Sequence, residues 1–227
     1  MNETDLKLYA ITDRQWLHGA RLSEHVKLAI EGGATMIQIR DKDILSTDSD
    51  AGLKDEYNEA LEIKRICHEH KVPLIINDNV QFAIDIDADG VHLGQDDMNP
   101  AEARKLLGAD KIIGVTAKTV EQAKKAQADG ADYLGSGAVF GSTTKLNAKP
   151  MTKELLREIT AAVDIPVVAI GGINADNAST LKGTGIAGIA VVGAIFASED
   201  IKAAAKALAE ICDNMPVSYT HLRAHET

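Results

Sequence analysis

The amino-acid sequence predicts an α/β protein that folds as one (β/α)8 TIM barrel in a single domain. The chain has 227 residues, a length that fits one such barrel. Short apolar runs alternate with helical patterns and glycine-containing turns along the chain, which is the rhythm of βαβ units. The apolar runs number eight, and eight parallel strands close a barrel. The predicted strands are 6–12, 36–40, 73–78, 90–93, 111–116, 133–137, 166–170 and 188–192.

A similar turn signal precedes each even-numbered strand, in the segments 33–35, 88–90, 130–132 and 185–188. Each segment contains glycine, which readily adopts the positive φ found just after a helix. The near-periodic return of one signal indicates a repeated half-barrel unit rather than an open sheet with mixed connections.

Two segments depart from this rhythm. The run 43–57 is polar and acidic, so the connection after the second strand is long, and a mobile lid and a solvated surface loop are both compatible with it. Residues 217–227 continue neither the apolar face nor the charge pattern of the last helix. We therefore expect a barrel domain over 1–216, followed by a disordered tail or an artificial extension over 217–227.

Composition limits the classes of partner. The chain carries 24 Lys and Arg against 34 Asp and Glu, a formal net charge of -10, so its overall field repels nucleic acid. A phosphorylated ligand would need local cations and backbone N–H groups. No segment approaches the roughly 18 apolar residues of a membrane span, and no secretory leader is evident. We expect a cytoplasmic protein with two buried, reduced thiols, Cys67 and Cys212, and leave a homo-oligomer open.

Cationic and amide side chains follow the second predicted strand. Gln38, Arg40 and Lys42 alternate along an extended segment and therefore share one face. A guanidinium can bind two phosphate oxygens at once, and an ammonium adds a point charge. Because Asp41 and Asp43 interleave with these residues, a salt-bridged strand end remains the alternative to a phosphate site.

Carboxylates follow the third and fourth strands, where Asn77 and Asp78 precede Asp97 along the chain. Asn and Asp at a strand end are often turn caps. Two carboxylates from neighbouring strands can also bind a hard divalent cation such as Mg²⁺, which usually completes its coordination shell with water and substrate phosphates.

The remaining strand ends are rich in hydroxyls and glycine. Thr116 ends the fifth strand, and the loop after the sixth contains Ser142, Thr143, Thr144 and Lys145. That loop suits an anionic ligand, and a flexible surface loop is the alternative. Glycines after the seventh and eighth strands are typical of barrel phosphate sites. The candidates there are Gly172, Val192 and Gly193.

Taken together, these segments resemble the thiamine-phosphate synthase family, whose members join the pyrimidine and thiazole halves of vitamin B1. The resemblance runs from Leu8 to about Met215. It rests on the joint occurrence, in the family's order, of QIRDK, IIND, DGVHLGQDD, GVTAKT, GAVFGSTTK, AIGGI and AVVGAI.

The resemblance implies residue roles. The pyrophosphate of hydroxymethylpyrimidine diphosphate would be held by Gln38, Arg40, Lys42, Asn77, Thr116 and Lys145. The Mg²⁺ ligands would be Asp78 and Asp97, and the thiazole substrate would contact Ser142, Thr143 and Thr144. Its phosphate would be bound by the backbone at Gly172, Val192 and Gly193. Among these residues, the resemblance assigns catalytic roles to Arg40, Lys42, Lys145 and Thr116.

Some residues depart from the family pattern. Asp41 stands where Glu is frequent, Thr116 where Ser is common, and Gly141 with Ser142 where Pro-Thr is common. The last departure bears on thiazole affinity and loop order.

The implied reaction is a Mg²⁺-assisted loss of pyrophosphate, attack by the thiazole nitrogen, and decarboxylation. Three alternatives remain: a thiazole tautomerase-like isomerase, another phosphate-binding barrel enzyme, and a non-catalytic thiamine-precursor binding protein. The tautomerase would have no need for the pyrophosphate and metal residues.

Overall fold

The computed structural model describes residues 4–40, 50–141 and 150–215, with the side chains of 50–53 left aside. Eight parallel strands in this part of the chain form a closed barrel in sequence order, with β1 pairing with both β2 and β8. They are β1 Leu8–Ile11, β2 Met36–Ile39, β3 Leu74–Asn77, β4 Gly90–Leu93, β5 Ile112–Thr116, β6 Tyr133–Gly137, β7 Val167–Ile170 and β8 Gly188–Val191. The predicted TIM barrel is confirmed, and each strand lies within two residues of its predicted bounds.

Helices follow the strands and form the outer layer. The α-helices are α1 Leu22–Glu31, α2 Asp50–His70, α3 Val80–Asp85, α4 Pro100–Leu107, α5 Val120–Ala128, α6 Lys153–Ala161, α7 Gly193–Phe196 and α8 Ile201–Asp213. Short 3-10 helices span Arg14–Trp16 and Ala178–Leu181. None of the helices in the described ranges is long and apolar enough to cross a membrane.

The strands are apolar on both faces because one face packs on the helices and the other fills the barrel. The outward face belongs to a large aliphatic cluster shared with the helices. The inward face forms a second, smaller cluster, which includes Tyr9, Met36, Ile75, Ile112, Tyr133 and Val168.

Two local expectations need correction. The polar run after β2 is not a loop throughout, because its second half forms the first turns of α2, which begins at Asp50. Residues 43–49 lie outside the described part of the chain, as does the predicted tail. At the turn before β4 the positive φ belongs to Asp87, at 52°, whereas Gly90 lies inside the strand. Glycine is needed there because a β-carbon would lie 2.0 Å from the Ile112 carbonyl oxygen.

The two cysteines are free and buried, as predicted. Burial raises the pKa of both thiols, Cys67 and Cys212, to about 12. They are therefore protonated near neutral pH and pack as small apolar groups.

Candidate active site

The predicted site residues within the described ranges lie together at the carboxyl end of the barrel. This follows from the fold, because all eight parallel strands end on the same face. Gln38, Asn77 and Thr116 lie on β2, β3 and β5, and the others follow directly after strands β2, β3, β4, β7 and β8. Those others are Arg40, Asp78, Asp97, Gly172, Val192 and Gly193. Lys42, Ser142, Thr143, Thr144 and Lys145 fall outside the described residues.

The carboxyl groups of Asp78 and Asp97 interact directly. Burial raises the pKa of Asp78 to about 6, and a hydrogen bond and charge repulsion with Asp97 add to the shift. Asn77 Nδ2 donates to Asp78 Oδ2 at 2.6 Å, and the backbone N–H of Gly94 donates to Asp97 Oδ2 at 2.6 Å. The pair therefore concentrates negative charge that a cation would relieve.

The backbone holds Asp78 in an unusual conformation. Its φ is 61°, in the left-handed region that Asp and Asn tolerate better than most residues. Its N–H donates to the carbonyl oxygen of His92 on β4 at 2.8 Å. This bond ties the turn after β3 to the neighbouring strand and so fixes the carboxylate beside the loop that carries Asp97.

Arg40 supplies positive charge to the same region. Its guanidinium lowers the pKa of Asp78, which opposes the effect of burial. Its backbone N–H donates to Thr12 Oγ1 at 3.1 Å, so the chain leaving β2 is fastened to the end of β1. Arg40 is half-buried, and its charge therefore acts with less screening than that of a fully exposed side chain.

The donor set that could hold a metal ion is small. No group of three or more His, Cys, Asp or Glu residues converges in the described ranges. This excludes a closed structural zinc site within those ranges. Two carboxylates and nearby amides instead suit a cation that keeps water and substrate oxygens in its shell.

A chain of polar side chains crosses the interior just beneath this face, and sequence reasoning missed three of its members: Tyr9, His92 and Tyr133. Gln38 Nε2 donates to Tyr9 Oη at 2.6 Å, and the two tyrosine oxygens lie 2.9 Å apart. His92 bonds Tyr133 through Nδ1 at 3.0 Å and Thr116 Oγ1 through Nε2 at 3.0 Å.

These side chains are kept uncharged by burial. Desolvation lowers the pKa of His92 to about 4, so the ring is neutral near pH 7, and it raises the pKa of Tyr9 and Tyr133. A sequence signal existed, since His92 has one apolar neighbour on each side in β4 and so occupies the opposite, inward face.

Glycines on neighbouring strands make room for these rings. A β-carbon on Gly114 would lie 2.0 Å from Tyr133 Cζ, and one on Gly135 would lie 3.1 Å from His92 Cε1. The two rings therefore fill space that inward-facing side chains of β5 and β6 would otherwise take.

Backbone geometry defines the opposite side of the face. Gly171 and Gly172 have φ values of 101° and 66°, and Asn177 Nδ2 donates to the Gly172 carbonyl oxygen at 2.8 Å. Gly193 begins α7, and a β-carbon there would lie 3.2 Å from the ring of Trp16. The described candidates on this side, Gly172, Val192 and Gly193, offer backbone N–H groups and small side chains.

The closed barrel and the polar groups at its carboxyl face define a (β/α)8-barrel enzyme. The sequence model described as thiamine monophosphate synthase matches residues 8–195, which is most of the chain. The chain therefore belongs to the thiamine monophosphate synthase family, as the sequence motifs predicted, and it is a transferase.

Individual relatives match almost end to end. Thiamine-phosphate synthase of Ruminiclostridium cellulolyticum is 48% identical over 213 residues, covering 94% of this chain and 98% of that protein. Thiamine-phosphate synthase of Clostridium novyi is 47% identical over 210 residues, covering 92% and 100%. The solved structure of thiamine phosphate pyrophosphorylase from Pyrococcus furiosus superposes with a TM-score of 0.82 at 38% identity, covering 94% and 98%.

More distant barrels share the fold alone. The structure of 3-hexulose-6-phosphate synthase superposes with a TM-score of 0.61 at 18% identity.

Proposed function

We infer that this chain condenses 4-amino-2-methyl-5-hydroxymethylpyrimidine diphosphate with a hydroxyethylthiazole phosphate, giving thiamine phosphate and pyrophosphate. The reaction belongs to thiamine biosynthesis, and with the carboxylated thiazole it also releases CO2. The observation that carries this inference is the near full-length similarity to proteins called thiamine-phosphate synthase.

The pyrophosphate half of the site is assigned to the ends of β2 to β5. Arg40, half-buried and close enough to shift the pKa of Asp78, would hold the phosphate oxygens, and Lys42 and Lys145 would add charge. Asn77 and Thr116 would supply neutral donors. Gln38 is buried, and its Nε2 bonds Tyr9 with one of two hydrogens, which leaves one for the substrate.

The chemistry of Asp78 and Asp97 fits a magnesium ion. Asp78 and Asp97 interact closely, and the pKa of Asp78 is raised despite the nearby Arg40 guanidinium, so a further cation would stabilise the pair. When bound there, Mg²⁺ would neutralise charge on the pyrophosphate. Asp78 and Asp97 would be its protein ligands.

The chain's own residues would stabilise the leaving group and orient the nucleophile. The C–O bond between the pyrimidine methylene and the diphosphate breaks, and its electron pair leaves with pyrophosphate. The aminopyrimidine ring carries the positive charge, and the thiazole nitrogen then forms the new C–N bond. The cations at the ends of β2 and β6 would act electrostatically, so no side-chain nucleophile is needed.

The thiazole phosphate is assigned to the opposite side of the face. The first N–H groups of a helix have no partner within the helix, and α7 begins at Gly193. Gly172, Val192 and Gly193 would bind the phosphate by their backbone, and Ser142, Thr143 and Thr144 would contact the ring. Bond formation would take place between the two halves.

A thiazole tautomerase-like isomerase is the second candidate, and a non-catalytic thiamine-precursor binding protein is the third. The interacting carboxyl groups of Asp78 and Asp97 favour the transferase, because an isomerase acting on the thiazole alone has no pyrophosphate for a cation to neutralise.

One experiment separates these functions. Purified protein incubated with both substrates and Mg²⁺ should release thiamine phosphate and pyrophosphate in equal amounts. Asp78→Ala or excess EDTA should abolish both products, while Asp85→Ala, at an exposed position on α3, should not. Full activity of Asp78→Ala would contradict the metal assignment. Isomerisation of the thiazole without coupling would select the tautomerase.

The remaining assignments follow from the sequence. Residues 1–216 would form the catalytic domain, and 217–227 would lie outside it. The protein would bind small phosphorylated molecules rather than nucleic acid, consistent with its net charge of -10. It would act in the cytoplasm.

A further inference from the structure

The hydrogen bonds that link the polar side chains inside the barrel all donate in one direction, and Gln38 at the buried end sets that direction. Gln38 Nε2 can only donate, so Tyr9 Oη accepts from it at 2.6 Å. Tyr9 is 1% exposed, and its own hydroxyl hydrogen needs an acceptor. The oxygen of Tyr133, at 2.9 Å, is that acceptor.

The same direction of donation fixes the tautomer of His92. Because Tyr133 Oη accepts from Tyr9, its hydroxyl hydrogen is free to point at His92 Nδ1, 3.0 Å away. A neutral imidazole that accepts at Nδ1 carries its hydrogen on Nε2. Nε2 therefore donates to Thr116 Oγ1 at 3.0 Å.

The opposite direction leaves a buried donor without a partner. If Thr116 donated to His92, Tyr133 would donate to Tyr9, and the Tyr9 hydrogen would face the Gln38 N–H. An imidazolium fails for a similar reason. Both of its ring nitrogens would donate, so Tyr133 Oη would accept from Tyr9 and from His92, and the Tyr133 hydroxyl hydrogen would have no acceptor. A buried donor without an acceptor costs about 1–3 kcal/mol, so the first direction is the stable one.

We propose that His92 is a positioning residue whose Nε2–H holds Thr116 Oγ1 as an acceptor, so that the Thr116 hydroxyl hydrogen points into the mouth of the barrel as a donor to the departing pyrophosphate. The tautomer of His92 is fixed by the hydrogen bonds that run from Gln38 through Tyr9 and Tyr133. The last step of this proposal rests on the proposed function, which gives Thr116 its substrate.

The location of Thr116 supports a role as a donor. It is the last residue of β5, inward-facing like Ile112 and Gly114, and part-buried, whereas Tyr133 is fully buried. Gln95 Nε2, in the same loop as Asp97, donates to its carbonyl oxygen at 2.5 Å. The end of β5 is therefore tied to the loop that carries Asp97.

The tautomer can be measured without substrate. Long-range ¹H–¹⁵N spectra of uniformly ¹⁵N-labelled protein at pH 7.5 distinguish the two ring nitrogens, and His92→Gln identifies the His92 signals by their loss. We expect a protonated Nε2 and an unprotonated Nδ1. A hydrogen on Nδ1, or on both nitrogens, would overturn the proposal.

Kinetics test the link to Thr116. Thr116→Val keeps the shape but removes the donor, and we expect kcat to fall about 100-fold. His92→Leu should reduce kcat less, and the double variant should be no slower than Thr116→Val, because His92 acts through Thr116. His92→Gln, which can place an amide donor near the position of Nε2, should recover most of the loss.

Other outcomes are decisive. Multiplying effects in the double variant, or full activity of Thr116→Val, would overturn the positioning role. His68→Asn, at an exposed position on α2, is the matched control and should leave kcat unchanged. A wild-type protein that made no thiamine phosphate would instead overturn the proposed function, while the spectra would still decide the state of His92.

Discussion

A β-carbon on Gly114 would lie 2.0 Å from the Cζ atom of Tyr133. Glycine at this position of β5 is therefore what allows a tyrosine ring to lie inside the barrel on β6. Nothing in the sequence predicts this contact, which only the closed fold creates.

The first prediction follows from this contact. Gly114→Ala should lower the free energy of unfolding by about 1–3 kcal/mol, because the added methyl overpacks the interior. Gly135→Ala is the matched variant, and it should cost less, because its β-carbon meets His92 Cε1 at 3.1 Å. Urea unfolding of both variants measures the difference. Equal stabilities, or a larger loss for Gly135→Ala, would contradict the packing described for the two rings.

The second prediction concerns Asp78 in the absence of divalent cations. Its pKa of about 6 exceeds the ordinary carboxyl value of 3.8, so between these values the folded protein binds more protons than the unfolded chain. Stability contributed by this group therefore falls as the pH rises through that window. Asp78→Asn, which tolerates the positive φ, should be more stable than wild type at pH 7.5 in EDTA. We expect about 1 kcal/mol, a value reduced for solvent screening, and a smaller gain near pH 4.

Asp87 provides a control of opposite sign at a similar φ of 52°. Ion pairs with Lys111 and Lys64 lower its pKa to about 2. Its contribution to stability is present above the unfolded value and is lost as the pH falls through 2. Asp87→Asn should therefore destabilise the protein at pH 7.5. If both asparagine variants changed stability in the same direction, the charge argument would be wrong.

The third prediction separates the two halves of the site. Gly193→Asp should raise the apparent KM for the thiazole phosphate roughly tenfold or more, because a carboxylate would face that phosphate. Gly193→Ala measures the steric part alone, since its β-carbon meets Trp16 at 3.2 Å. Steady-state kinetics with each substrate varied in turn give the answer. An effect confined to the pyrimidine diphosphate would mean that the two pockets are exchanged.

The fourth prediction concerns the opposite end of the barrel. Arg104 on α4 donates to the carbonyl oxygens of Lys111 and Gly130 and, at 2.6 Å, to Asp132 Oδ2, so it ties together the starts of β5 and β6. Arg104→Met should lower the free energy of unfolding by about 2–3 kcal/mol and leave kcat unchanged. Lys105→Met, at an exposed neighbouring position, is the control. A loss of kcat at full stability would place Arg104 in the functional site instead.

Much of the architecture could be predicted from the sequence because each strand is a short apolar run between polar turns. The positions of Arg40, Asp78 and Asp97 at the face also follow, since parallel strands all end on one side. Local chemistry was harder to predict. The positive φ before β4 belongs to Asp87, because Gly90 is needed inside the strand for its close approach to Ile112.

The part played by the two tyrosines in the internal polar chain could not be predicted for a related reason. A strand buried on both faces has no polar–apolar alternation, so the sequence does not say which face Tyr9 or Tyr133 adopts. Only closure of the barrel brings Tyr9 of β1 against Tyr133 of β6 across the interior. The partners of His92 come from β5 and β6, the second of which lies 41 residues further along the chain.

If Thr116 acts as proposed, the chain of hydrogen bonds from Gln38 to Thr116 makes the core of this barrel part of its chemistry. Here a loop set moved to another barrel would leave behind the side chains that orient Thr116. Conversely, an aliphatic repacking of this interior would produce a well-folded protein whose loops were intact and whose hydroxyl had lost its direction.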